Sequence, residues 1–308
     1  MADTISTSRS KPVSQHQNRM IGIGLMCAAL FCFSCLDATA KWVNQSVDPM
    51  VTVWARYMSA ALLTFMVINP RTQPGALRTR RLPLQLLRSF LLLASTFCNF
   101  LALKYLQLVE TQSIIFATPL LVALLAAPLL GERIGWQRLT AIGVGFIGIL
   151  VITRPGLGTM HPAALLSLAG SVAYAFYNIV TRMLASSDSI ATTTLYSSVA
   201  GIVLLTPVLP WIWSTPSSPL VWFLLATTGF YGGFGHWLLV LAHARAPAAI
   251  LAPFIYSQII WMLALGYIVF GDWPDSWTFV GAGIVIASGL YLLSRERAKR
   301  NQPETVHE

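Results

Sequence analysis

The residues able to carry chemistry are few, and they sit where charge is costly. "CLDATAK", residues 35–41, sets Asp37 and Lys41 four apart near the end of an apolar run that begins at Met20. On a helix that spacing puts both on one side. "VWAR" places Arg56 inside the next apolar run, and "TTGFYGGFGHW" brings His236 into another. A carboxylate, two cations and an imidazole can pair with one another, relay protons or hold a charged ligand. They do not make a catalytic centre. The chain has no His-Glu-x-x-His and no Gly-x-Ser-x-Gly, and His161, His236 and His243 are scattered. Cys27, Cys32, Cys35 and Cys98 all lie in apolar runs, and Cys32 with Cys35 lacks the second pair of a zinc site, so they read as packing residues. No catalytic residue, metal or cofactor is expected, and no nucleotide-binding P-loop is present.

Uncharged polar residues form stripes. Ser167, Ser171, Tyr174, Tyr177, Asn178 and Thr181 recur at spacings of three and four, one face of a helix. Ser95 and Asn99 are four apart, with Thr96 alongside; Gly229, Gly232, Gly233 and His236 share a side; Tyr256, Ser257, Gln258 and Trp261 follow Pro253. Pro119 and Pro253 each leave a carbonyl without its usual donor, which predicts helix kinks. If these faces converge, Asn99, Tyr174, Tyr177, Asn178, His236, Tyr256, Gln258 and Trp261 are the candidates for substrate contact. Such a cavity is aromatic, hydroxyl-rich, amide-rich and almost uncharged, which suits a neutral or zwitterionic organic metabolite with a planar part.

The elements that must position these residues are membrane spans. The 308-residue chain is 56% hydrophobic and 10% charged, against about a quarter charged in soluble domains. At about 20 apolar residues per crossing, ten spans are predicted: 20–42, 51–69, 84–106, 111–130, 136–153, 162–182, 191–210, 220–242, 247–270 and 276–294. The runs are too long and unalternating for a barrel, so the fold class is an all-α integral membrane protein.

A formal charge of +9 would also suit nucleic acid, but the positions of the charges decide otherwise. With the N-terminus inside, only Lys41, Lys104 and Arg154 fall on the outer side, with Arg56 inside the second span; the remaining basic residues are cytoplasmic. The partners are therefore a bilayer and a small-molecule substrate, with no nucleic acid; a homodimer is compatible. Residues 1–19 form a polar N-terminal tail rather than a signal peptide, and 295–308 a C-terminal tail; both termini are expected in the cytoplasm. At 1.5 Å per residue, Asp37 lies about 8 Å below the outer boundary and Arg56 about 9 Å below it. This predicts a Lys41–Asp37–Arg56 ion cluster at the outer rim, either a staple between the first two helices or a gate.

The junctions "LLGERIGWQRLTAIGVGFIG" and "VFGDWPDSWTFVGAGIVIASG" match at Gly131-Glu132 and Gly271-Asp272, and with one residue inserted at Trp136/Trp277 and Gly148/Gly289. They fall at corresponding places in two halves, 20–154 and 161–294. Because five spans is odd, the second half enters from the opposite side, an inverted repeat as in many secondary transporters. The spans, the glycine-acid turns, "DATAK", "VWAR" and "LAPFIYSQIIWMLALGYIVFGD" together resemble the drug/metabolite transporter superfamily, EamA type. That resemblance implies transport of small metabolites across a bacterial inner membrane. Riboflavin uptake is the leading expectation, with export of amino acids, amines or related metabolites beside it. The second half has Asp272-Trp273 where the first has Glu132-Arg133, and lacks an equivalent of Pro119, so a symmetrical site is not expected.

Overall fold

A computed structural model describes residues 15–68, 75–130, 135–155, 161–216 and 218–300. Residues 1–14 and 301–308 of the two tails, and the Gly131-Glu132 turn with Arg133, lie outside them.

The described residues form helices and no strand. In the first half these are α1 (Gln15–Val43), α2 (Pro49–Val67), α3 (Leu82–Leu103), α4 (Leu108–Ile115), α5 (Thr118–Leu130) and α6 (Trp136–Thr153). In the second they are α7 (Ala163–Leu184), α8 (Ile190–Tyr196), α9 (Val199–Leu205), α10 (Leu209–Ile212), α11 (Pro219–Arg245), α12 (Ala248–Leu251), α13 (Gln258–Phe270) and α14 (Ser276–Arg300). A 3-10 turn, Ala252–Ser257, joins α12 to α13. Local chemistry sets the ends. Asp48 caps α2 by accepting from the Met50 amide at 2.8 Å, with Pro49 in the first turn, where no amide donor is needed. Glu110 reaches back to the Gln107 amide at 3.0 Å at the start of α4. Gly271, at φ 70°, ends α13 in a left-handed turn that suits glycine.

Among the described residues, nine helical stretches are long and apolar enough to cross a membrane. The predicted seventh span is different: Ile190–Leu205 is shorter and breaks at Ser197-Ser198. Groups from α3 and the break satisfy each other there. The Ser89 hydroxyl donates to the Ser197 carbonyl and accepts from the Ala200 amide at 2.9 Å. Apolar content alone could not show that break, because its cause lies on another helix.

The halves pack reciprocally: α1 lies on α11 and α3 on α7, so the first predicted span of each half meets the third of the other. Likewise α6 pairs with α14 and α4 with α13. The predicted fourth and ninth spans are both interrupted. Pro119 cannot donate to the carbonyl of Ile115, where α4 stops; Pro253 lies in the 3-10 turn before α13. The shift that lays Gly131 on Gly271 also lays Thr118 on Gln258, so α5 and α13 start alike and are 13 residues each. The segments before them differ, as the missing equivalent of Pro119 suggests: Leu108–Ile115 is α-helical throughout, whereas its counterpart 248–255 passes from α12 into the 3-10 turn. The same shift aligns the starts of α6 and α14 without the insertion; Gly148 and Gly289 are not equivalent. Gly148 faces Gly281 across the α6–α14 seam, where a Cβ on Gly281 would come within 2.6 Å of the Gly148 carbonyl, whereas Gly289 makes room for the Tyr256 hydroxyl.

Candidate functional site

A cavity of about 190 Å³ lies at the centre of the bundle, between α1, α2, α3, α4, α7, α11 and α13. Here the face where α1 begins is termed proximal and the face where it ends distal. α3 contributes Ser95, Thr96 and Asn99 to the wall, α7 contributes Ser171 and Tyr174, and Gln258 enters at the first residue of α13. That last position follows from the broken span: only where regular helix restarts does the amide of Gln258 reach Gln112 of α4, whose Nε2 donates to it at 3.4 Å.

Two charged residues face this cavity. Asp37, 9% exposed, accepts from Asn99 Nδ2 at 3.0 Å. Arg56 donates to the Thr96 hydroxyl and lies over the rings of Tyr57 and Phe100, 5.2 and 5.8 Å from their centroids. Gly232 of α11 leaves room beside the Arg56 Nε. No ion pair joins Asp37 to Arg56 or to Lys41 among the described residues. This corrects the expected three-member rim cluster and the nearly uncharged cavity. The depth arithmetic measured distance along each helix, but Asp37 points inward to Asn99, and the chain distal to it is packed shut by Phe100, Leu103 and Leu108, each 1% exposed.

Lys41, one turn further along α1, turns instead to the other half of the molecule. Its ammonium pairs with Asp272, donates to the Leu106 carbonyl at 3.1 Å and stands 4.8 Å from the Phe270 ring. Nearby on the distal face Arg154 pairs with Asp275.

The other candidates divide. Asn99, Tyr174, His236 and Gln258 border the cavity; His236 sets its ring edge against Phe33, 5.0 Å between centroids. Tyr177 stands just beyond, its ring stacked on Tyr174 at 5.4 Å and 12°. Asn178 donates to the Tyr174 carbonyl of its own helix at 2.6 Å. Tyr256 is buried against Phe116, and Trp261 packs on Phe31; neither borders the cavity, since Tyr256 in the 3-10 turn points towards Gly289 of α14 and Trp261 in α13 towards α1. Gly229 and Gly235 of α11 are packing positions: a Cβ on Gly229 would strike Ser59 of α2, and one on Gly235 would meet Phe33 of α1 at 2.8 Å, whereas Gly233 faces open space.

The sequence reading missed Arg88. Charge bias assigns it to the cytoplasmic side with the other basic residues, yet it sits in the second turn of α3 and is only 4% exposed. Its guanidinium donates to Tyr177 Oη at 2.6 Å, Thr181 Oγ1 at 2.8 Å, Ser197 Oγ at 2.9 Å and the Thr193 carbonyl at 3.0 Å. A signal was available: Arg88, Leu92, Ser95 and Asn99 follow one another by four, three and four residues, a single helical face. Beside it on the proximal side, Asp188 accepts from Thr79, from the Arg80 amide at 3.1 Å and from Gln85 at 2.8 Å.

The model of the EamA-like transporter family matches residues 20–154 and again 161–295. An S-adenosylmethionine uptake transporter of Rickettsia conorii is 26% identical over 285 residues, 92% of this chain and 96% of that protein. A riboflavin transporter of Vibrio cholerae is 26% identical over 289 residues, 91% and 95% of the two chains. A pseudopaline exporter of Pseudomonas aeruginosa is 26% identical over 282 residues, 90% and 96%. A crystal structure at 16% identity superposes with a TM-score of 0.62 over 94% of this chain and 100% of the other, which shows a shared fold.

Proposed function

The chain belongs to the EamA-like transporter family, and from that premise we propose that it carries a zwitterionic organic metabolite across a bacterial inner membrane by alternating access. In this reading the chain crosses ten times, with both termini in the cytoplasm, and the short α8–α9 pair serves as the seventh crossing. The observation that carries the substrate class is the pair of opposite charges bordering one cavity without pairing to each other. A buried charge without a counter-ion is costly, so a ligand with an ammonium for Asp37 and a carboxylate for Arg56 gains what the protein itself leaves unmatched. Tyr174 and Tyr177 add a flat surface for an aromatic part. An amino-acid head joined to a flat heteroaromatic meets both demands.

S-adenosylmethionine, carried by the Rickettsia relatives, has that chemistry; riboflavin has neither the ammonium nor the carboxylate, and would leave both charges unmatched. The cavity of about 190 Å³ is smaller than the roughly 300–1,000 Å³ that encloses a drug-sized ligand, so the walls separate before such a substrate is held. Reconstitution into liposomes tests the reading. Saturable uptake and counterflow of S-adenosylmethionine, with little movement of riboflavin, is the expected result. Riboflavin counterflow with no movement of any amino-acid-bearing compound would overturn it.

A further inference from the structure

We propose that Arg88 is a second carboxylate station, on the proximal side of the path, which receives the substrate's carboxylate as it leaves Arg56. The inference rests on the zwitterionic substrate proposed above. Arg88 is buried, yet none of its four acceptors is an anion: three are hydroxyls and one is a backbone carbonyl. No carboxylate lies within ion-pair distance among the described residues. Of the five N–H bonds of a guanidinium, four are used; the fifth, on the nitrogen that holds Tyr177, has no acceptor among the described residues. A buried cation held only by neutral groups is unusual, and a planar fork is the geometry that binds carboxylates bidentately.

Position makes the station part of the route. Leu92, Ser95 and Asn99 of α3 border the cavity, and Arg88 lies one turn, about 6 Å, further towards the proximal face on the same side of that helix. Tyr177 bridges the two places: its hydroxyl holds Arg88, the guanidinium stands 4.6 Å from its ring centroid, and the ring stacks on Tyr174 of the cavity wall. A substrate moving proximally parts that stack and meets the guanidinium. Its carboxylate then replaces the Tyr177 hydroxyl as acceptor, so Arg88 is never left without partners. A guanidinium that merely stapled α3 to α7 and α8 would not distinguish substrates with and without a carboxylate.

The test uses the full chain in liposomes and two probes that differ only in the carboxylate, S-adenosylmethionine and its decarboxylated form. In the wild type the first should be favoured at least about tenfold, the ratio that 1.4 kcal/mol gives. Arg88→Gln should lower counterflow of S-adenosylmethionine about tenfold while leaving the decarboxylated compound within about twofold, and Arg88→Lys should restore part of the loss. Tyr177→Phe removes the competing acceptor and keeps the charge; if Arg88→Gln does not fold, this variant decides. It should lower the half-saturating concentration of S-adenosylmethionine at the proximal face only. Equal losses for both probes in Arg88→Gln, or a Tyr177→Phe effect shared by both, would make Arg88 a staple and overturn the station. A wild type that moves both probes alike, or neither, would remove the substrate reading and the station with it.

Discussion

At the distal end Lys41 meets Asp272 with side chains 13% and 25% exposed, and Arg154 meets Asp275 at an exposed position; at the proximal end Arg88 is buried among neutral acceptors. The two fastenings differ in what separating them costs. Partly exposed ions are rehydrated as they part, so a distal clasp opens cheaply and is screened by salt. A buried guanidinium stripped of its acceptors keeps its full desolvation penalty. In the carrier proposed above, the distal end would therefore open on its own account, whereas the proximal end would open readily only when something else satisfies Arg88. Both fastenings tie one half of the chain to the other, which is where an inverted-repeat carrier must move.

The largest expected effect tests that contrast directly. Arg88→Ala strands three hydroxyls and a carbonyl and should lower stability by about 3 kcal/mol, whereas Lys41→Ala should cost about 1 kcal/mol or less, both read from unfolding in detergent; equal losses would erase the distinction. Between the ends, Asp37→Asn keeps an acceptor for Asn99 but loses the charge. It should fold normally and weaken half-saturation for ammonium-bearing substrates by about 2 kcal/mol, roughly thirtyfold. A double-mutant cycle on Lys41 and Asp272 should return about 1 kcal/mol of coupling in low salt and clearly less in 1 M salt.

The smallest effect is with pH, and both ends should share it. Burial opposes ionisation of Asp188, but hydrogen bonds from Thr79, Gln85 and the Arg80 amide outweigh it and hold its pKa below the usual carboxylate value. At Asp275 burial is likewise outweighed, by Thr278 and Arg154. A depressed pKa stabilises the fold above the unfolded value of about 3.9 and loses that contribution as pH falls through the folded value. These two carboxylates should therefore make the melting temperature fall below about pH 4, with Asp188→Asn and Asp275→Asn each flattening that decline. An acid decline unchanged in both variants would show that neither carboxylate fastens its end.

Helix ends were legible because their causes are local. The predicted fifth span, 136–153, is α6 to the residue, and Pro119 and Pro253 do lie at interruptions. The site was legible only as a set of faces. Tyr174 and Gln258 reach the cavity while Tyr256 and Trp261, near neighbours of Gln258, do not: Tyr256 lies in the 3-10 turn, where the rotation per residue changes, and Trp261 in α13 packs on Phe31 of α1. Arg88 was hidden by the charge count, which reads a basic residue near a span's end as solvated. Asp37 was misplaced because depth along a helix says nothing of what covers the helix end.

The sequence by itself determined that the chain is a membrane bundle built twice over, because hydropathy and repeat spacing are properties of the chain read in one dimension. Which charges pair was decided only by the tertiary structure. Lys41 and Asp37 are four residues apart, yet one bonds across the halves to Asp272 and the other inward to Asn99. A charge in a low-dielectric interior takes the partner that packing brings within reach, and sequence distance does not measure that.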